Sequence, residues 1–126
     1  MIFIYQQANG LFWAPSGKLL GKGYSGAPEG KNDYEKEHIK NVGPIPIGLW
    51  TIDGHYESGT LGPNVIVLNP HRHEAHGRTA FRIHGDSKKN PGDASQGCIV
   101  LPPDIRQLII DGFTLERSNT FLMVVQ

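Results

Sequence analysis

The segment TAFRIHGDSKKNPGDASQGCIVLP, residues 79–102, consists of two short apolar runs on either side of a polar loop. The first run ends at His84 and the second begins at Cys98, and both have the length and β-branched content of strands. The loop between them contains Asn90-Pro91-Gly92, which favours turns because proline fixes φ and glycine tolerates positive φ. The pattern therefore predicts two neighbouring strands joined by a polar connection.

The rest of the chain repeats this arrangement of short apolar runs separated by turn residues. With 16 glycines and 9 prolines in 126 residues, turns must be frequent. The only clear helix signal runs from Pro103 to Ile110, about residues 103–111, with proline in the first turn and Gly112 as its expected end. We expect one mainly β, sandwich-like domain over residues 1–126 with this one short helix. The predicted strands are Ile2 to Gln6, Leu11 to Trp13, Lys18 to Ser25, Ile47 to Tyr56, Asn64 to Leu68, Thr79 to His84, Cys98 to Leu101 and Asn119 to Val125.

Composition excludes several classes of function. Lys and Arg together number 12, as do Asp and Glu, so no strong field directs the protein to nucleic acid or to anionic lipid. The longest apolar runs, residues 1–5 and 121–125, are far shorter than the ~20 residues of a membrane-spanning helix. The first basic residue is Lys18, which argues against a Sec signal peptide.

The single cysteine is the strongest candidate for chemistry. Cys98 follows Gly97 where a polar loop enters a strand, a position that can expose a thiol while the backbone stays fixed. The backbone N–H groups of Gly97 and Cys98 could then face a developing oxyanion. A thiol needs a base, and His84 at the end of the neighbouring strand could take its proton. The alternative is that Cys98 packs as a small apolar side chain and His84 is a satisfied core histidine.

Three nearby side chains are further candidates: Arg82 and Asp86 have two interpretations each, and Ser95 has a minor role. Strand alternation places Arg82 on the same face as His84, where it could bind a substrate carboxylate or simply face solvent. Asp86 could accept a hydrogen bond from His84 or cap the turn that Gly85 starts. Ser95 is expected to shape the loop through a hydroxyl-to-backbone hydrogen bond.

A second cluster suggests a different class of enzyme. His71, His73 and His76 have a His-x-His-x-x-His spacing that could bind zinc through neutral imidazoles. Solvated loop histidines are the simpler interpretation, because the segment between Asn69-Pro70 and Gly77 has the composition of a wide turn. A non-catalytic β module, in which Cys98 only packs, is the third alternative.

Three stretches together resemble a known family. Residues 82–87, RIHGDS, followed by residues 94–102, ASQGCIVLP, are similar to the His-Gly … Ser-x-Gly-Cys-Ile signature of L,D-transpeptidase catalytic domains. Residues 43–52, GPIPIGLWTI, and Tyr24-Ser25-Gly26 resemble elements of the small L,D-transpeptidase-like subfamily of type VI secretion effectors. The resemblance covers much of residues 20–102.

The resemblance implies a β-rich enzyme that acts on the stem peptides of peptidoglycan. Cys98 would attack the carbonyl at the L-centre of the third-position diamino acid of a tetrapeptide and release D-alanine, with His84 as base and then acid. Water, a D-amino acid or another amine would resolve the thioester, as in L,D-carboxypeptidation, exchange or crosslinking. The catalytic set would be Cys98, His84, Gly97 and Asp86, and the substrate-binding set Arg82, Ser95, Gln96 and Gly85.

The chain also departs from the wider family. Many L,D-transpeptidases have a histidine two residues before the cysteine and an arginine two residues after it, where this chain has Gln96 and Val100. The short spacing from His84 to Cys98 favours hydrolysis over transpeptidation. We expect no cofactor and no metal, synthesis in the bacterial cytoplasm, non-Sec delivery to the periplasm of a target cell, and an immunity protein or secretion-apparatus partner.

Overall fold

A computed structural model describes residues 1–126, and its architecture is a single nine-stranded sheet with one α-helix. The spatial order of the strands is β3-β2-β1-β9-β5-β6-β7-β8-β4. The mainly β fold with one helix is confirmed. The strands are β1 (Ile2–Gln6), β2 (Leu11–Trp13), β3 (Leu19–Lys22), β4 (Tyr24–Ser25), β5 (Gly48–Ser58), β6 (Gly62–Pro70), β7 (Arg82–His84), β8 (Ile99–Val100) and β9 (Phe121–Val125); α1 is Pro103–Leu115, and short 3-10 helices occupy Tyr34–Lys36, Ala75–Gly77 and Arg117–Asn119.

The sheet is nearly closed at Gly23. The predicted strand Lys18 to Ser25 divides there into β3 and β4, which lie at opposite ends of the sheet. The N–H of Gly23 donates to the carbonyl of Gly10 (2.8 Å), and a Cβ at Gly23 would lie 1.8 Å from the carbonyl oxygen of Val100. The backbone at Gly23 lies against the backbone at Gly10 and at Val100, and only glycine allows so close an approach. The extended run from Lys18 to Ser25 is therefore divided at Gly23, with one half at each end of the sheet.

Both ends of the chain contribute to the centre of the sheet. β1 pairs in parallel with β9, with Ile2 opposite Phe121, and β9 pairs on its other side with β5 in antiparallel register. β5 and β6 form a long antiparallel hairpin, and β6 pairs with β7. The strands β7 and β8, which carry the site described below, lie at the β4 end of the sheet order and not beside the paired termini.

The core lies between the sheet and α1. Trp50, Phe12 and Ile109 are fully buried within it. α1 is longer than the predicted helix and runs through Gly112 to Leu115, so the prediction that Gly112 ends it is wrong. A Cβ at Gly112 would lie 2.8 Å from the sulfur of Met1, so this glycine permits close packing of the helix on β1.

No helix in the structure combines the length and the apolar character needed to cross a membrane.

Candidate active site

Two short parallel strands bring His84 and Cys98 to one cavity. Ile83 of β7 pairs with Ile99 of β8, so Cys98, one residue before β8, lies level with Arg82. Ile83 and Ile99 point into the core and are fully buried, as strand alternation predicts. His84 and Cys98 both line a cavity of about 500 Å³, which we call the Cys98 cavity.

The hydrogen bonds of His84 determine its tautomer. Its Nδ1 lies 2.8 Å from the carbonyl oxygen of Gly85, which can only accept, so Nδ1 carries the proton. Nε2 is then the unprotonated nitrogen that can receive a proton. Burial lowers the pKa of His84 below its ordinary value; the Gly85 hydrogen bond opposes this shift and the charge of Arg106 adds to it. The imidazole is therefore a neutral base at pH 7.

Cys98 is partly buried, and its thiol is neutral at rest. The sulfur lies 3.8 Å from the carbonyl oxygen of Ala80, which can accept the S–H hydrogen. Burial raises the pKa of the thiol above its ordinary value, and the backbone N–H of Arg82 with the charges of Arg82 and Arg78 offsets only part of that shift. With a neutral thiol and a neutral imidazole lining one cavity, a nucleophilic attack by the sulfur would require its proton to move during the attack.

The reactivity of Cys98 toward iodoacetamide should follow this raised pKa. Below that pKa the thiolate fraction, and hence the rate, should rise about tenfold per pH unit and keep rising beyond the ordinary thiol pKa of about 8.5. Because Cys98 is the only cysteine, intact-mass measurement against pH reports this thiol alone. Denaturant should shift the curve of alkylation rate against pH to lower pH, because unfolding ends the burial that raises the pKa of the thiol. A rate that is constant below pH 7 would indicate a preformed thiolate–imidazolium pair and contradict this reading.

Ser95 organises the turn that precedes the cysteine. Its hydroxyl donates to the carbonyl of Cys98 (2.6 Å) and accepts from the N–H groups of Gly97 (3.0 Å) and Gly26 (2.9 Å). The loop-shaping role predicted for Ser95 matches these contacts. The prediction that the Gly97 N–H is free to face an oxyanion is wrong, because Ser95 Oγ already accepts its hydrogen bond. Only the N–H of Cys98 remains from the predicted pair.

Asp86 holds the loop after β7 and does not contact the imidazole. Its carboxylate accepts from the hydroxyl of Tyr24 (2.6 Å) and from the N–H groups of Ser87 (2.8 Å) and Gly92 (3.1 Å). Burial alone would raise the pKa of Asp86, but these hydrogen bonds lower it below its ordinary value. The orienting partner of His84 is the Gly85 carbonyl, which corrects the predicted contact from Asp86; the turn-capping alternative fits the geometry.

The remaining predicted substrate-binding residues occupy different places. Gln96 is exposed and lines both the Cys98 cavity and a smaller cavity of about 220 Å³ on the other side of Cys98. Gly85 is half-buried and lines a neighbouring cavity of about 340 Å³ together with His84. Arg82 lines none of these cavities; its guanidinium donates to the carbonyl of Phe81 (2.8 Å). The roles of all three toward substrate stay predictions.

Sequence reasoning missed Arg78, which fixes the backbone around Cys98. Its buried guanidinium donates to four carbonyls, those of Glu37 (2.6 Å), Pro44 (2.9 Å), Gly43 (3.1 Å) and Gln96 (3.1 Å). Arg78 thereby joins the segment 37–44 to the loop that precedes Cys98. Residue 97 must be glycine, because its φ is +145° and a Cβ there would lie 2.5 Å from Arg78 Nη2. No periodicity could reveal this arginine, since all of its partners are backbone atoms.

Ser25 explains why the motif elements occur together. Its buried hydroxyl donates to the carbonyl of Gly97 (2.8 Å) and accepts from the N–H of Ile45 (2.8 Å). Tyr24, beside it, accepts a hydrogen bond from the N–H of Ala94 (2.9 Å). The Tyr-Ser-Gly and Gly-Pro-Ile-Pro elements therefore hold the loop that carries Cys98.

The predicted zinc ligands are not brought together. His73 Nε2 lies 2.9 Å from the carbonyl oxygen of Leu49, so it donates there, while its Nδ1 accepts a backbone N–H at 3.3 Å. His76 Nε2 lies 2.6 Å from the carboxylate of Glu37, and His71 packs edge-on against an aromatic ring of β9. No group of three or more His, Cys, Asp or Glu side chains is placed to hold a metal ion. The zinc alternative is therefore wrong for this cluster.

Comparison with solved structures shows a similar fold. The Mycobacterium tuberculosis L,D-transpeptidase 1 structure is 17% identical over 99% of this chain and 61% of that chain, with a TM-score of 0.55. The catalytic domain of the E. faecium L,D-transpeptidase acylated by ertapenem is 17% identical over 98% of this chain and 95% of that chain, with a TM-score of 0.49. The chain thus spans less than two thirds of the length of the M. tuberculosis protein.

No curated protein sequence matches the chain. A family model described as the Tlde1 domain matches residues 21–124, which is most of the sequence. The resemblance predicted from the His84, Cys98 and Gly-Pro-Ile-Pro segments is confirmed, and the protein belongs to the Tlde1 domain family.

Proposed function

We propose that the protein is a cysteine enzyme that modifies peptidoglycan stem peptides. Membership of the Tlde1 domain family and the L,D-transpeptidase fold support a peptidoglycan-modifying enzyme. The proposed reaction is acyl transfer from the L-centre of the third-position diamino acid, with release of the terminal D-alanine. The nucleophile is Cys98 and the base is His84.

One observation carries this proposal: His84 and Cys98 line the same cavity, and the hydrogen bond of Nδ1 leaves Nε2 of His84 unprotonated. The Gly85 carbonyl fixes the tautomer, and burial keeps the ring neutral at pH 7. A histidine that only packed in the core would not line a cavity together with a thiol. A thiol and a neutral imidazole at one cavity support acyl transfer with Cys98 as nucleophile and His84 as base.

The proton can be followed through the reaction. As the sulfur of Cys98 adds to the peptide carbonyl, its proton passes to Nε2 of His84, and the N–H of Cys98 donates to the developing oxyanion. The imidazolium then protonates the departing amine of D-alanine, and a thioester remains on the sulfur. In the second half, His84 takes a proton from the acceptor, which attacks the thioester and restores the free thiol.

Water is the acceptor that we propose, which makes the reaction an L,D-carboxypeptidation. The polar connection between β7 and β8 is short, and the rim of the Cys98 cavity carries exposed polar side chains such as Glu29, Asp93 and Gln96. Such a rim admits water freely. The proposal includes action in the periplasm of a target cell, where this substrate occurs, after non-Sec delivery.

The test is incubation of the purified protein with disaccharide tetrapeptides, followed by mass measurement of the products. The expected result is a loss of one D-alanine, with the tripeptide as main product and D-amino-acid exchange appearing only when a D-amino acid is added in excess. A chelator should leave the rate unchanged. Tetrapeptides of unchanged mass, after incubation with protein shown to be folded, would contradict the proposal.

A further inference from the structure

A second cavity lies beside the Cys98 cavity and is lined by cations. It has a volume of about 510 Å³, and Lys22, Lys88 and Arg106 line it. Leu61 lines both this cavity and the Cys98 cavity. The cavity of about 340 Å³ that contains His84 shares Leu61 and Lys88 with it, so the three cavities form one trough. We call the second one the Arg106 cavity.

Arg106 is a buried cation without a carboxylate partner. Its side chain is only 5% exposed, and the ion pairs of the protein do not include it. Nε donates to the carbonyl of Leu101 (3.1 Å) and Nη1 to that of Pro63 (2.7 Å), whereas Nη2 donates to no protein acceptor. Nη2 is not among the buried polar atoms that lack a partner, so it reaches solvent and is free to donate to an anion in the cavity.

The position of Nη2 relates this donor to the catalytic base. A Cβ at Gly85 would lie 2.9 Å from Nη2, so the guanidinium lies directly against the residue that follows His84. The glycine leaves room for the guanidinium at the wall of the trough. An anion bound at Nη2 would therefore lie against Gly85, the residue that follows His84.

The charges around the cavity also favour an anion. Lys22 and Lys88 are exposed at its rim and take part in no ion pair. Asp86 is the only acid that lines it, and three donors already occupy its carboxylate. Three cations thus face one hydrogen-bonded carboxylate, and the local potential is positive.

We propose that the Arg106 cavity binds a carboxylate of the donor stem peptide, with Nη2 of Arg106 as the central donor and Lys22 and Lys88 at the rim. This rests on the proposed function, because the substrate is the stem peptide. A guanidinium with a free edge suits a planar carboxylate. Apart from the terminal carboxylate of D-alanine, which leaves with the released residue, two carboxylates of the stem have this chemistry, one on the second-position glutamate and one on the side chain of the third-position diamino acid.

The test compares the binding of tetrapeptides to proteins that carry Cys98→Ala, so that nothing is turned over. Lys22→Gln combined with Lys88→Gln removes the rim charges and leaves Arg106 in place, since Arg106→Gln would also break the contacts to Leu101 and Pro63. The matched control is Lys18→Gln, an exposed lysine outside the trough. Calorimetry should give a Kd about five- to tenfold higher for the double lysine variant and an unchanged Kd for the control.

Amidated peptides identify the carboxylate. Amidation of the recognised group should weaken binding by a similar factor and remove the effect of the double lysine variant, while amidation of the other group should do neither. Equal Kd values for the lysine variant and its control, an equal effect of the variant on every peptide, or no binding of any tetrapeptide would overturn this assignment. Failure of the proposed function looks different, because the wild type would then release no D-alanine.

Discussion

Cys98→Ala should lower the rate of D-alanine release from tetrapeptides by at least about 10⁴-fold, because no other group can form the thioester. Cys98 is the only cysteine, so no second thiol can substitute for it. The structure should survive the change, since Cys98 is only partly buried and the contact of its sulfur with the carbonyl of Ala80 is long, at 3.8 Å. Initial rates by chromatography of the muropeptides give the activity, and thermal unfolding gives the stability.

The matched variant is His84→Gln, which keeps a donor toward the Gly85 carbonyl but has no basic nitrogen. The rate of D-alanine release by this variant should be about 10²- to 10⁴-fold lower than that of the wild type, which is the usual contribution of a general base. Equal activity of wild type and Cys98→Ala, at equal stability, would leave a non-catalytic β module as the better description. Loss of activity in both variants with binding of the tetrapeptide retained is the expected result.

Arg78→Met should destabilise the protein by about 4 kcal/mol, because it leaves buried carbonyls without their donor. Arg78 donates four hydrogen bonds to the loops around Gly43 and Gln96, and methionine has a similar length but no donor. The expected decrease in Tm is roughly 10–15 °C for a domain of this size. Urea titration measures the free energy of unfolding directly.

The control for this change is Arg72→Met. Arg72 is exposed and belongs to the same connection between β6 and β7, so the identical substitution should change stability by less than about 0.5 kcal/mol. If Arg78→Met were as stable as this control, the four hydrogen bonds would not hold the loops. A stable but inactive Arg78→Met protein would instead assign the arginine to positioning Cys98.

Local patterns predicted the strands and the neighbourhood of Cys98 and His84. Alternation placed Phe81 and Ile83 on the core face, and both are buried. The same alternation and the turn residues after His84 indicated that the two strands lie side by side, as β7 and β8 do. These features depend on residues close in sequence, for which periodicity is informative.

What could not be predicted depends on contacts between distant segments. Gly23 divides an extended run because Val100, far along the chain, approaches it, and Gly112 continues a helix because it packs on Met1. Arg78 and Arg106 are buried against backbone carbonyls, and composition alone assigns arginine to the surface. One contact that was not predicted is local: the hydroxyl of Ser95, two residues before Gly97, accepts the hydrogen bond of the Gly97 N–H, which had been assigned to the oxyanion.

The parallel pairing of β1 with β9 has a consequence for how the chain acquires its structure. β9 lies between β1 and β5, so the β1-β2 and β5-β6 pairs cannot join into one sheet until residues 121–125 have left the ribosome. Pairings of such large sequence separation must overcome a large loop-closure entropy, which places refolding in the slow range of roughly milliseconds to seconds. The complete sheet, and with it the setting of Cys98, should therefore form only after residues 121–125 have been synthesised.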